Sequence, residues 1–285
     1  SGTIRSNSSD QDSHGSHDGA SYMSTTPAVN ASTDRIGIIR TKPHSEGAPE
    51  HLPFRVRIVR KEEQLSKAVD IRAAAYGHHW PNLSLHLQRP EDQDRNPNSL
   101  IFLAESKESS SPMGTMRVDT NLVTPLQITS DVLLPESISK RTIAYVTRLG
   151  VKQGALGSLV KLALFKSLHR YCLAKQLHWL LVGVRPPNDR DYVRLGFSDV
   201  MGEGTLTPIT SSAGVPVRLM SFEVISAERR WYASRHPLYK FMFSDYHPDI
   251  EVFSSVSGMW ARPRRSTPRF TEKVSIFDEL GLPLI

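Results

Sequence analysis

A single α/β domain built on a mixed sheet is the fold class this sequence predicts, and three observations carry the prediction. A strand-like run at 142–151 passes through a short joint into the clearest helical pattern of the chain, 156–176, and a second strand-like run, 178–184, follows at once. Two apolar runs at 100–104 and 113–118 flank a stretch of Ser and Pro turn signals. A further run at 217–224 follows a short helical pattern at 189–195. Strand, helix and strand with short joints make a right-handed crossover, so the first two strands belong to one sheet and run parallel. The runs around the turn make an antiparallel hairpin, which completes a mixed sheet.

Each element has a local cause. Residues 1–50 are rich in Ser, Asp, Gly, His and Thr and show almost no apolar periodicity. Such a stretch buries too little surface to offset the entropy of ordering, so a disordered tail is expected there. His14, His17 and Asp18 fall in this polar tract, where no rigid ligand set is expected; no metal site is predicted anywhere in the chain. The pattern changes at Phe54. Residues 54–60 alternate apolar and basic side chains, the period of a half-buried strand. Leu65, Ala68, Val69 and Arg72 through Tyr76 then recur at helical spacing. In the helix at 156–176, Leu156, Leu159, Val160, Ala163, Leu164, Leu168, Tyr171 and Cys172 share one face, and Lys161, Lys166, His169 and Arg170 are expected on the others. A C-terminal helical stretch closes a domain placed at 54–253. Its large aromatic side chains between Trp231 and Phe253 are expected to pack on the sheet, either as plain core or as one wall of a tunnel. Residues 254–285, with Pro and Arg clusters, form a C-terminal extension. No internal repeat is visible.

Length and composition narrow the function classes. The 285 residues suffice for one domain with a substantial core. The one cysteine, Cys172, lies in an apolar helical pattern, which excludes an intrachain disulfide and points to a reducing, cytoplasmic compartment. No apolar stretch approaches the roughly 20 residues of a membrane span. The formal charge is +6, and the first fifty residues hold four Lys/Arg against six Asp/Glu, a net −2 that leaves +8 for the rest. A basic body suits nucleic acid, an anionic lipid surface, or an acidic protein or cofactor. Zinc-finger spacing, a helix-turn-helix signal and an RNA-binding strand pattern are all missing, so nucleic acid is not an expected partner. A weak association with a membrane surface is retained.

The joint before the long helix carries the chemistry. Lys152, Gln153, Gly154, Ala155, Leu156, Gly157 and Ser158 form a glycine-containing turn that opens a helix, where unpaired N–H groups face whatever anion docks. A pyrophosphate or a phosphopantetheine phosphate fits such a turn; a plain connecting turn is the alternative. Some forty residues on, the chain reads Tyr192, Val193, Arg194, Leu195, Gly196, Phe197.

A strand, a degenerate (Gln/Arg)-x-x-Gly-x-(Gly/Ala) turn, a long helix, a strand and Tyr-x-x-x-Gly-Phe together resemble the core of the GNAT acyltransferases. Lys152, Ala155 and Gly157 stand at the three turn positions, and Lys152 and Ala155 both depart from the pattern. Further segments narrow the resemblance: 72–77, 114–118, 146–149, 236–243 and 247–250 are similar to the long-chain N-acyl amino acid synthases of the FeeM type. Thr147-Arg148-Leu149 is also similar to a Ser-Arg-Phe stretch of the acyl-homoserine-lactone synthases. The resemblance covers roughly 54–253.

That resemblance implies a GNAT fold with a mixed central sheet, flanking helices and a C-terminal helical extension. It implies an acyltransferase that moves a long-chain fatty acyl group from acyl carrier protein to a small amino-acid acceptor. The alternatives are an acyl-CoA donor, a lactone-forming synthase, or a non-catalytic module that binds acyl carrier protein. No cofactor is bound; the donor is an acyl-phosphopantetheine of carrier protein or CoA. Leu149, Gly150 and Val151 then lie along the thioester, with the turn 152–158 on the donor. Tyr192 takes the place of an acid for the leaving thiolate, or packs its helix on the sheet. Arg148 and Thr147 join Tyr192 as catalytic candidates, and Arg72, Tyr76, Arg117 and Tyr145 are the acceptor-binding candidates. Arg148 and Arg117 either clamp the acceptor's carboxylate or form structural salt bridges. Tyr145 stands where the lactone synthases have a glutamate, so no base is assigned. Glu91, Asp92 and Asp94 are the nearest acidic cluster in sequence and fall in a region that covers the acceptor in the relatives, but a solvated acidic loop is the expected reading. Lys152, Lys161, Lys166 and Arg170 are the expected docking face for the carrier, with a solubilising helix face as the alternative.

Overall fold

The computed structural model describes residues 48–77 and 86–253. The expected extension at 254–285, and all but the last three residues of the expected tail at 1–50, lie outside the described residues, as do His14, His17 and Asp18.

The chain opens with β1 (Phe54–Ile58) and α1 (Glu62–Gly77). The strand stops two residues before the expected 60 because the amides of Arg60 and Lys61 turn onto Gln64 Oε1, at 2.8 and 3.2 Å. A side chain reaching back to the open amides in this way starts a helix, and Glu62 and Glu63 complement its dipole in the first turn. A 3-10 turn, Asp92–Arg95, precedes the hairpin of β2 (Ser99–Ser106) and β3 (Pro112–Thr120). Two one-turn helices, α2 (Ile128–Asp131) and α3 (Glu136–Ser139), lead to β4 (Ile143–Val151). The crossover helix α4 (Gly157–Ala174) then carries the chain to β5 (Trp179–Val184) and the short α5 (Asp189–Arg194). Strands β6 (Ser198–Asp199) and β7 (Leu206–Pro208) precede β8 (Pro216–Glu223). The C-terminal stretch is less helical than expected: α6 (Ala227–Ala233) gives way to a single π turn, Lys240–Ser244, and to β9 (Ile250–Glu251).

The strands form one sheet in the order β6-β8-β5-β4-β3-β2-β1-β9, with β7 also on β8. β4 and β5 run parallel as the crossover requires, β9 runs parallel to β1, and the remaining pairs are antiparallel. The fold is that of the GNAT acyltransferases. Alternation along the strands sends Val118, Ala144, Val146, Leu180 and Val182 into the main core with Val160, Ala163, Leu164 and Leu168 of α4. Ile101 and Leu103 face the other way and pack with Leu65, Ala68 and Val69 of α1.

Three polar residues of α4 are not where the sequence pattern put them. Lys166 and His169 are buried, and so is the ammonium of Lys161. The C-terminal segment, which packs along α4, covers Lys166 and His169, while Lys161 faces Asp191 of α5. Lys166 Nζ donates to Phe241 O at 2.6 Å, Asp245 O at 2.7 Å and His247 Nδ1 at 2.9 Å, while His169 Nε2 lies 3.2 Å from Val224 O. Burial lowers Lys166 to about 8. The expected docking face therefore shrinks to exposed Lys152 and half-buried Arg170.

Candidate active site

The site arises where β4 and β5 part. Their pairing runs from Ile143↔Trp179 to Val146↔Val182 and ends there. Beyond it β4 stays with β3 and β5 stays with β8. A bulge in β4 accompanies the divergence: Arg117 pairs with Thr147 and Thr115 with Gly150, so Arg148 and Leu149 together oppose Met116. Arg148 sits at φ 52, the left-handed conformation found at the first residue of a G1-type bulge and one that a non-glycine side chain resists. The bulge bends β4 and aims Arg148 at the same neighbours as Arg117.

Two cavities meet at this fork. One, of about 480 Å³, lies in the gap between the strands, walled by Tyr145 to Leu149, Val182 to Asn188, and the side chains of Tyr76, Tyr192 and Ser211. A volume of that size lies within the range of ligand sites. The other, of about 50 Å³ and almost wholly apolar, lies between α4, α5 and the sheet, lined by Leu162, Phe165, Leu168, Leu195, Phe197 and Leu238 among others. Val146, Leu149, Val182 and Tyr192 line both.

Beneath the gap lies a buried charge network that corrects the sequence reading. Glu91 and Asp94 are not a solvated loop. The Asp94 side chain is fully buried, and Glu91 is 27% exposed. Arg148 donates Nε to Glu91 Oε2 at 2.8 Å and Nη2 to Oε1 at 2.7 Å, with Nη1 on Ser211 O at 2.7 Å. Arg117 Nη1 reaches Glu91 Oε2 at 2.8 Å and Asp94 Oδ1 at 3.1 Å, and its Nε donates to Thr147 Oγ1 at 3.0 Å. Arg72 donates Nη2 to Asp94 Oδ1 at 3.0 Å and Nη1 to Glu91 Oε2 at 3.2 Å. Three guanidiniums thus share two carboxylates, with Asp119 Oδ1 at 3.7 Å from Arg117 Nε as the next acid. Burial by itself would raise the Glu91 carboxyl, but the bonds and charge of Arg148, then Arg117 and Arg72, hold it down at about 2. Asp94 is lowered by Arg72 against the same opposing burial. A carboxylate held that low is a poor base at neutral pH.

The three arginines therefore appear as salt-bridged groups, and they differ in access. Arg148 lines the gap. Arg117 lines a separate polar cavity of about 250 Å³ together with Asp119, Tyr145 and Ser211. Arg72 has no exposed surface and lines none of these three cavities. Tyr145, buried, bonds Ser211 Oγ at 2.8 Å, and burial pushes its phenol up to about 12. Tyr76 and Tyr192 face the gap, and burial raises both phenols. The Tyr192 ring also packs edge-on against Phe197 at 5.3 Å, so packing on the sheet and facing the gap coexist. Gly150 brings α1 close to β4, since a Cβ there would lie 3.2 Å from Ala75 Cβ and 3.3 Å from the Arg72 Cα.

The turn after β4 is tied at its start by Lys152 N on Met113 O, 2.8 Å, and at its end by Gly157 N on Gly154 O, 3.0 Å. Lys152, Gln153, Gly154 and Ala155 are exposed, Leu156 is half-buried, and Ser158 lines the apolar pocket. Gly154 takes φ 136, open to glycine at no cost. Sequence reasoning missed Ser211, which bonds Tyr145 and Arg148 from a loop more than sixty residues away. The carboxylates had a usable signal: three arginines on core elements require counter-charges, and Glu91 and Asp94 are spaced to supply them.

The fork of this GNAT sheet leaves a ligand-sized gap between its parallel strands. The family model for the N-acyl amino acid synthase FeeM matches residues 68–223, more than half of the chain. The chain belongs to that family. No curated protein matches it. Among solved structures it is similar to FeeM, an N-acyl amino acid synthase from uncultured soil microbes, at 18% identity over 66% of this chain and 98% of that one, with a TM-score of 0.48. It is similar to BjaI, a CoA-dependent acyl-homoserine lactone synthase solved with SAM and isopentyl-CoA, at 12% identity over 65% and 90% of the two chains, TM-score 0.44. A GNAT-family acetyltransferase from Staphylococcus aureus is similar at 11% identity over 59% and 99%, TM-score 0.41. Among the described residues no helix is long and apolar enough to cross a membrane.

Proposed function

We propose that this chain transfers a long-chain fatty acyl group from a phosphopantetheine thioester of acyl carrier protein to the amine of an amino acid. The observation that carries the reading is the fork of β4 and β5, whose gap of about 480 Å³ opens beside an apolar pocket through Leu149 and Tyr192. Backbone groups of β4 beyond Val146 have no β5 partner, so the amides of a pantetheine arm pair there as a strand would. The thioester then lies by Leu149 to Val151, where a backbone N–H stabilises the oxyanion. The amine nitrogen attacks the carbonyl carbon, the carbon–sulfur bond breaks, and the Tyr192 hydroxyl gives its proton to the departing thiolate. The amine loses its own proton to solvent, since Glu91 is too acidic a group to take it. Arg148, at the gap with Glu91, orients the acceptor, and Arg72, Arg117 and Thr147 hold that pair in position. The acyl chain runs into the apolar pocket, whose lining must part for more than a few carbons. With Lys161 and Lys166 buried, exposed Lys152 supports carrier docking at the turn, and CoA is the alternative donor.

The test is mass spectrometry of lipid extracts from cells overproducing the chain, beside an Arg148→Ala control, and of purified protein given matched carrier-protein and CoA thioesters. New N-acyl amino acids that vanish in the control are expected, with the carrier thioester the better donor. Absence of any acylated amine with both donors would overturn the reading.

A further inference from the structure

The apolar pocket has a polar flaw at one end. Lys161 and Asp191 are on its wall, one from α4 and one from α5, beside Ser158 and Tyr192. Lys161 Nζ and Asp191 Oδ2 are both buried, and neither has a hydrogen-bond partner. They stand 3.7 Å apart, too far for a bond between them. The other oxygen of Asp191 faces Arg194 Nη1 at 3.5 Å, so the free valence of Oδ2 is turned toward Lys161 and the pocket. Apart from Ser158 and Tyr192, the other residues that line the pocket carry apolar side chains. A buried ammonium and carboxylate left unbonded are costly, and burial lowers the first and raises the second.

One small group repairs the flaw. A hydroxyl accepts from an ammonium and donates to a carboxylate at once. A ketone only accepts, and a methylene does neither. The position along the chain also follows. Lys161 is one turn into α4, at the end where the thioester lies on the reading above, whereas Leu168 lines the pocket seven residues further, roughly 10 Å along the helix axis.

We infer that the acyl pocket selects a donor whose chain carries a hydroxyl close to the thioester carbonyl, with Lys161 and Asp191 as the specificity-determining pair. The inference rests on the acyl-transfer reading for which end of the chain meets the pair. A site that hydrogen-bonds a substrate hydroxyl discriminates strongly against the analogue without it, because its own polar groups are then left unpaired.

The experiment compares 3-hydroxyacyl, 3-oxoacyl and unsubstituted thioesters of one chain length, on CoA and on carrier protein, for calorimetric binding to the full chain and for transfer to an amino acid. The 3-hydroxy donor is expected to bind at least about tenfold more tightly than the unsubstituted one, with the 3-oxo donor between them. Lys161→Met and Asp191→Asn, each checked for unchanged thermal unfolding, are expected to erase that preference and keep affinity for the unsubstituted chain. Equal binding of the three donors by the unaltered chain overturns the inference without reference to any variant. So does a preference that survives Lys161→Met, which would make the pair structural. Preferential binding without transfer sinks the acyltransfer reading and leaves the pocket's selectivity standing, whereas equally fast transfer from all three donors does the reverse.

Discussion

Arg148 holds Glu91 by two parallel bonds, Nε to Oε2 at 2.8 Å and Nη2 to Oε1 at 2.7 Å, from a backbone position at φ 52. The same bulge that parts β4 from β5 thus aims the guanidinium at the one carboxylate shared by all three buried arginines. Fork and charge network are one construction, and damage to either is expected in both.

Glu91→Gln keeps the shape of the side chain and removes its charge, leaving Arg72 and Arg117 with Asp94 as their bonded acid and Arg148 with none. Breaking a buried ion pair from one side costs about 3 kcal/mol or more. A loss of unfolding free energy of that size, read from denaturant titration, is expected, larger than for Arg148→Lys, which retains the charge and loses only the paired geometry. Equal stability of Glu91→Gln and the parent chain would mean that the network is more solvated than its burial shows.

Acid should expose the same group. A carboxyl lowered from 4.5 to about 2 on folding adds stability that is complete above pH 4.5 and is lost as the pH falls toward 2. The magnitude is on the order of 3 kcal/mol. Unfolding midpoints measured between pH 6 and 2 should drop steeply in the parent chain, and less so in Glu91→Gln, where the titrating group is missing.

Tyr192→Phe separates the two roles of that ring. The phenyl ring keeps the edge-on contact with Phe197, so thermal stability should hold, while loss of the acid should lower kcat about a hundredfold with little change in KM. Because burial raises the phenol, the parent rate should climb with pH as the acceptor amine deprotonates and should show no fall near neutrality. A Phe variant with unchanged kcat would leave the ring a packing role only.

Cys172 is buried on α4 and burial pushes its thiol up, which removes the thiolate needed for an acyl-enzyme. Cys172→Ala should keep transfer activity, and a thiol reagent should label the folded chain only at the rate of its unfolding. Rapid labelling with loss of activity would point to a covalent intermediate.

Much of the fold was legible because its causes are local. The apolar stripe of α4, the alternation in β4 and β5 and the short joints between them lie within 143–184, and they dictate a parallel crossover wherever the rest of the chain goes. The boundaries slipped where a side chain decided them, as Gln64 does at the start of α1. Motif order pointed to Tyr192 and Arg148, which line the gap, and to the turn at 152–158, which does not. The charged partners were a different matter. Lys161 and Lys166 read as a solvated face because the segment that covers Lys166 arrives from 75 to 81 residues downstream.

From the sequence alone came the crossover, the hairpin and the single cysteine, since periodicity, spacing and composition encode them within a few turns of chain; the family came from the resemblance of its motifs to known acyltransferases. Only the tertiary structure decided that Glu91 and Asp94 neutralise Arg72, Arg117 and Arg148, that β4 breaks from β5 at Val146, and that Lys161 faces Asp191 across an apolar pocket. Those outcomes depend on which distant groups lose water together. A side chain's charge is printed in the sequence, but the dielectric around it and the partner that meets it exist only once the sheet has closed over both.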